Sequence, residues 1–200
     1  YKWPFVALAE LGIQEEQVLD LQWTINDFIK SKKKDQASHL MKVLVDMNEK
    51  PAFLVIQGVA QRFRYRGRDN PAIPFLELAA KRKEMSLDEL EDHLIPDCGL
   101  DTNGKRIFDY GPRAFTLVFD EHLEPRVQAP EGPIFRSPPK GFSTDDKSKI
   151  ARAQAEFETL SKELSRNLAV QRERLELALS TGRTWPAGTW VSAYLQHPLM

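Results

Sequence analysis

Residues 92–130 read DHLIPDCGLDTNGKRIFDYGPRAFTLVFDEHLEPRVQAP, and within them a helical pattern stops and an alternating one begins. Pro96 pushes Ile95 out of the α region and so ends the helix before it. Further on, Phe115, Leu117 and Phe119 alternate with Thr116 and Val118, the period of two that marks a strand with one buried face. Ile107 and Phe108 make a shorter strand ahead of it, and Leu123 to Val127 returns antiparallel after a turn at Asp120-Glu121-His122. Asn103-Gly104 predicts a two-residue turn, because both residues accept positive φ. Pro125 has no N–H to donate, which places the returning strand at an edge. The expectation is a three-stranded antiparallel meander at about 104–128.

Working back from this block, Ser86-Leu87-Asp88-Glu89 is a capping box, with Leu87, Leu90 and Leu94 following on one face. From Gly12 to about Met85 the apolar residues recur at helical spacing. Val18, Leu21, Ile25 and Phe28 form one stripe. SKKKDQ (Ser31 to Gln36) breaks it, and Ala37, Leu40, Leu44 and Met47 form a second. Pro51 suits the first turn of a third helix carrying Phe53, Val55, Ile56, Val59 and Phe63. Asn70-Pro71 opens a fourth with Phe75, Leu76 and Ala79. Successive helices of this length read as a HEAT-like segment, residues 1–85.

Working forward, Ala129 to Gly141 (APEGPIFRSPPKG) is a proline- and glycine-rich loop, and residues 129–142 are expected to be a linker. Ser143 to Asp146 supply capping oxygens for a long helix at about 145–180, roughly 50 Å at 1.5 Å per residue. Its stripe is Ile150, Ala153, Phe157, Leu160, Leu164, Leu168, Leu175 and Ala178, and Gly182 ends it. Trp185-Pro186 leads into a terminal helix at 187–196. The fold class is therefore mostly α with a small antiparallel meander (α+β), residues 86–200 forming the α+β domain.

Composition narrows the function classes. Of 200 residues, 42% are hydrophobic and 28% charged, with a net charge of −1, so no global field favours nucleic acid or an anionic membrane. Cys98 is the single cysteine, which excludes an internal disulfide and any CxxC motif and suits a reducing, cytoplasmic compartment. No apolar run is long enough to span a bilayer. The N-terminal YKWPFVALAELG is interrupted by Glu10 and lacks a convincing cleavage site. A chain that starts at Tyr1 and stops at HPLM reads as a piece of something longer.

Four constellations carry chemistry worth weighing. QRFRYRGR interleaves Arg62, Arg64, Arg66 and Arg68 with Phe63 and Tyr65, a basic and aromatic run suited to phosphates and bases. The plainer reading, which is favoured, is a helix end solvated by arginines. Asp97, Asp101 and Asn103 alternate like a calcium loop, but the glutamate such a loop needs is absent. Asp97, Asp101, Asp109, Arg113 and Asp120 would make an acidic enzyme site only if at least two of the carboxylates faced one pocket with Arg113. His39, His93, His122 and His197 lie at no ligand spacing, so neither a metal nor any other cofactor is expected. Cys98 has no basic run nearby to lower its pKa.

LDELEDHLIPDCGLDTNGKRIFDYGPRAFTLVFDEHLEP, the proline-rich loop, the long helix, RLELALSTGRTW and HPLM together resemble a bacterial domain of unknown function. That domain accompanies WGR domains in large proteins, some labelled molybdate-metabolism regulators (MolR-like). The resemblance covers about Ser86 to Met200, and the helices before it resemble the HEAT-like array that commonly precedes the domain. It implies that Pro96, Asp97, Gly99, Asp101, Asp109, Tyr110, Gly111, Arg113, Arg183, Trp185 and His197 are motif positions with structural roles. Ala178-Leu179-Ser180 and GPIFRSPPKGF depart from the family pattern, at positions with no established activity. The function expected is a non-catalytic scaffold or regulatory module in a larger cytosolic protein. Its partner would be another protein or other domains of the parent chain, with nucleic acid kept open and no membrane.

Overall fold

The computed structural model describes residues 15–63 and 70–200. The expected helix start at Gly12, and Arg64, Tyr65, Arg66 and Arg68, lie outside the described residues. The chain forms two compact units, one ending at Leu94 and the other running Ile95–Met200. The capping-box helix, expected with residues 86–200, belongs to the first unit because it packs on the helix before it.

The first unit contains α1 (Glu15–Lys30), α2 (Lys34–Met47), α3 (Lys50–Phe63), α4 (Ile73–Arg82) and α5 (Leu87–His93). Helix α3 touches α1, α2 and α4, which accounts for apolar residues around most of its circumference. Ala52, Phe53, Val55, Ile56, Val59 and Ala60 are all buried. They pack with Ile25, Leu40, Leu44, Leu76 and Ala79 from the neighbouring helices. Each large side chain buried here contributes about 1.5–3 kcal/mol. The capping box forms as read: Ser86 Oγ accepts from Glu89 N–H at 3.2 Å and Glu89 Oε2 from Ser86 N–H at 2.8 Å.

One local expectation needs correction. Helix α4 starts at Ile73 rather than at Asn70-Pro71. Asn70 is used instead as a clip, its Nδ2 donating to Ala60 O at 2.7 Å and its Oδ1 accepting from Ala72 N–H at 3.1 Å. Three helix ends share one device. Lys32, Glu84 and Gly182 all take positive φ, and after each the next N–H reaches back to close the same wide turn.

In the second unit the sheet is a meander in the order β1 (Ile107–Asp109), β2 (Ala114–Phe119), β3 (Pro125–Gln128) and β4 (Ile134–Phe135). It therefore has four strands and not three, because Ile134 and Phe135 of the expected linker pair with Gln128 and Val127. Strand β3 is not the edge, yet β4 reaches only its last two residues, so Pro125 pairs across β2 alone. Phe108, Phe115, Leu117 and Val127 turn to one face and are buried. That face meets α6 (Lys147–Thr181), with Phe108 edge-on to Phe157 at 5.7 Å. Asp146 caps α6, accepting from Ser148 and Lys149 N–H. The expected terminal helix is α7 (Ala187–Trp190), which widens into a π-helical turn at Val191–Leu195. No helix among the described residues is long and apolar enough to cross a membrane.

The β2–β3 loop makes a stability prediction. Leu123 sits at φ 60° with its side chain exposed, so the left-handed conformation is strained without a packing return. Leu123→Gly removes that strain and is expected to raise unfolding free energy by about 0.5–1 kcal/mol, net of glycine's entropic cost. Urea unfolding of both chains reads this out, and an unchanged or lower midpoint would refute it.

Candidate functional site

The acidic residues of the motif block each belong to a separate turn. Asp97 Oδ1 accepts from Gly99 N–H at 2.8 Å, and Leu100 N–H closes the turn onto Asp97 O at 3.1 Å. Cys98 and Gly99 at its centre have φ of 56° and 66°. The paired positive φ expected at Asn103-Gly104 is thus found here; in the later turn Gly104 alone has it, at 70°.

Asp101 and Asp120 build the same loop twice. Asp101 Oδ1 accepts from the N–H groups of Asn103 and Lys105, and its own N–H donates to Lys105 O. Asp120 Oδ1 accepts from His122 and Glu124 N–H, and its N–H donates to Glu124 O. In both, the fourth residue, Gly104 or Leu123, takes the positive φ. A carboxylate serves because one short side chain satisfies two turn N–H groups at once. The second oxygen of Asp120 pairs with Arg126 at 2.7 Å. Asp109 Oδ1 accepts from Gly111 N–H at 2.6 Å, while Oδ2 pairs with Lys149 at 2.7 Å. The bonds from these N–H groups and cations hold the Asp109 and Asp120 carboxyls below the usual range.

Arg113 faces none of these four carboxylates. It forks onto Asp145, Nε to Oδ1 at 3.1 Å and Nη2 to Oδ2 at 2.5 Å. The Asp145 side chain is 0% exposed, and its Oδ2 also accepts from Phe142 N–H at 2.7 Å. The guanidinium lies 4.0 Å from the Phe142 ring centre and 5.3 Å from that of Phe115. Beside it Tyr110, fully buried, donates its hydroxyl to Pro139 O at 2.8 Å, and its carbonyl accepts from Asp146 N–H. This arrangement fastens the β1–β2 turn to the loop before α6 and to the helix cap. The acidic enzyme site, which needed two of its carboxylates in one pocket with Arg113, is not assembled: Asp97, Asp101, Asp109 and Asp120 occupy separate turns.

The C-terminal motif residues lock the other end. His197 Nδ1 accepts from Leu199 N–H at 3.2 Å, so the proton sits on Nε2, which faces Ile95 O at 3.0 Å. Pro198 O lies where a Cβ on Gly104 would meet it at 2.8 Å, which is why a larger residue does not fit. Arg183 stacks over Trp185 at 4.8 Å, and Trp185 joins Trp190 and Tyr194 in one aromatic cluster. Pro96 lends its carbonyl to the Cys98 thiol at 3.8 Å. Burial, with Glu163 nearby, pushes that thiol up to about 12, leaving it protonated and unreactive at neutral pH. Among the described residues no three of His, Cys, Asp and Glu stand together as metal ligands.

Asp145 and the polar residues of α6 were not singled out from sequence. Asn167, Gln171 and Arg174 are buried where the stripe suggested Leu168 and Leu175 would be, and both leucines are only partly covered. Asn167 Nδ2 donates to Cys98 Sγ at 3.3 Å, and Arg174 to Gln171 Oε1 at 2.9 Å. The one available signal was spacing: Leu160, Leu164, Asn167, Gln171 and Arg174 continue the alternating three- and four-residue step. Of the arginine run, Arg62 is described, and its guanidinium lies 4.9 Å over the Trp23 ring.

A family model described as Domain of unknown function (DUF4132) matches residues 132–200. The chain is also similar to "Uncharacterized protein YehI" of Escherichia coli (strain K12), 33% identical over 199 residues. That alignment covers 98% of this chain, which spans 16% of the length of the curated relative it matches. No solved structure matches.

Proposed function

We propose that this chain is a non-catalytic scaffold or regulatory interaction module within a larger cytoplasmic bacterial protein of the WGR-associated, MolR-like kind, its first unit a HEAT-like array. The observation that carries the reading is how the motif residues are used. Asp97, Asp101, Asp109, Arg113, Asp120 and His197 each engage a turn, a cap or a buried partner. A catalytic constellation needs titratable groups converging on one point, and these diverge. The similarity to a short part of a much longer protein supports a module that acts through what surrounds it. Array-like helical units offer extended faces to such partners.

The test is affinity capture with the full-length parent protein, with and without nuclease, followed by identification of what co-purifies. Partners retained after nuclease treatment, and lost from Arg113→Ala only in proportion to its unfolded fraction, are the expected result. Retention abolished by nuclease would move the reading to a nucleic-acid-associated module using Arg62, Arg64, Arg66 and Arg68. Turnover of a substrate by the parent that is lost in a fully folded Asp120→Asn variant would instead favour an enzyme.

A further inference from the structure

The turn between α1 and α2 is built from residues that each oppose the local fold. Lys32 takes the left-handed position, at φ 60°, where glycine or asparagine costs least. Lys33 is the N-cap of α2 and offers no side-chain acceptor to the first-turn N–H groups. Lys34 begins that helix, at the end where positive charge is least favourable. Lys30 completes four exposed lysines within five residues, and against Asp35 they leave an excess of three positive charges. A turn selected for stability alone would carry glycine, aspartate and serine here. Departures from local rules gathered at one surface point are expected where a ligand compensates them.

The surface beside the turn indicates the ligand. Trp23 lies two helical turns before Lys30 on the same face of α1, about 10 Å away. Trp23 is 59% exposed, and the Arg62 guanidinium from α3 lies over its ring at 4.9 Å. An exposed indole steadied by a guanidinium and followed by a lysine cluster is the arrangement that stacks a base and holds the adjoining phosphates. An acidic peptide would use the lysines but has no need of the indole. We propose that Trp23, Lys30, Lys32, Lys33 and Lys34 bind single-stranded nucleic acid, the lysines on the backbone and Trp23 against a base. Asp27, exposed on the same face between them, opposes the strand and limits affinity.

The experiment is fluorescence anisotropy of a labelled single-stranded 20-nucleotide oligomer titrated with the whole chain across a range of salt concentrations. Contact with four phosphates predicts a slope of log affinity on log salt near −3, at about −0.7 per phosphate. Replacing all four lysines by glutamine should weaken binding at least about tenfold in low salt and flatten the slope. Trp23→Ala should weaken single-strand binding by roughly 5- to 100-fold with little change in slope. Asp27→Asn should tighten binding. Far-ultraviolet circular dichroism confirms that each variant is folded, since all these positions are exposed. Absence of binding by the unaltered chain in low salt, or affinity indifferent to the lysines, overturns the proposal. So does equal binding of the oligomer and a polyglutamate chain with no effect of Trp23→Ala.

Discussion

Arg113→Ala is expected to lower the melting temperature by more than about 10 °C, a large loss for a side chain that is 30% exposed. The cost comes from what the change would leave behind. Asp145 is fully covered, and removing the guanidinium leaves a buried carboxylate with the Phe142 N–H as its remaining partner. Breaking a buried ion pair from one side costs far more than the pair contributes, because the surviving charge keeps its desolvation penalty. Arg113→Lys should recover only part of the loss, since an ammonium cannot reproduce the two-pronged contact or lie flat against Phe142 and Phe115. Differential scanning calorimetry of the three chains decides it. A lysine variant as stable as the parent would show that charge alone matters there.

The same pair sets a pH dependence. The bond from Arg113 holds the Asp145 carboxyl below its ordinary 3.8, with Phe142 N–H adding to the effect against the cost of burial. A depressed folded value means the contribution is present above the unfolded value and lost as pH falls through the folded one. Melting temperature should therefore fall on acidification below about pH 4, and less steeply in Asp145→Asn. Asp109, Asp120 and Asp146 are lowered too, so the slope should shrink without vanishing. Glu163 has the opposite sign. Burial raises its carboxyl above the ordinary 4.5, with Arg166 offsetting part of the effect and Asp97 adding to it. Its ionised form opposes folding, so Glu163→Gln should raise the melting temperature at neutral pH and lose its advantage in acid.

What could be read from the sequence follows from the range of the interactions involved. The mostly helical fold with a small meander was legible because apolar spacing, the capping box at Ser86 and the alternation from Phe115 to Phe119 are local signals. Strand β4 was not, since two residues in a proline-rich loop carry no period, and only pairing with Val127 and Gln128 makes Ile134 and Phe135 a strand. The turns of Asp97, Asp101 and Asp120 were legible as turns, but which residue would take positive φ was not. Lys32, Cys98, Glu84 and Leu123 do so although none is a glycine. Arg113 drew notice as a motif residue, while its partner Asp145 lay within a stretch read only as a helix cap. Nothing in a sequence of charges says which distant pair will meet. The buried Asn167, Gln171 and Arg174 were hidden for a related reason, because hydrophobic spacing cannot announce a polar residue on a covered face.

Tyr110 distinguishes a structural junction from a chemical one. Its ring is fully buried, edge-on to Phe115 at 4.8 Å, with its hydroxyl on Pro139 O. Tyr110→Ala opens a cavity under the β1–β2 turn and should cost about 3–5 kcal/mol. Tyr110→Phe keeps the packing and loses the hydroxyl's hydrogen bonding, leaving Pro139 O without its donor, for about 1 kcal/mol. If the block is a junction, activity or partner capture by the parent protein follows the folded fraction through this series. If the hydroxyl does chemistry, Tyr110→Phe abolishes function while the chain stays folded. The backbone of Tyr110 also carries load, its N–H donating to Arg113 O and its carbonyl accepting from the capping residue Asp146. Neither side-chain replacement removes those bonds, so the turn itself should survive Tyr110→Phe. Coupling sharpens the test further. Arg113 lies 5.8 Å from the Tyr110 ring and shares Phe115 with it, so the two losses should not add. Arg113→Ala with Tyr110→Ala is expected to cost less than the sum of the single changes, because each already loosens the loop the other holds. Strict additivity would mean that the two residues brace separate parts of the unit, and the single junction inferred from their geometry would have to be given up.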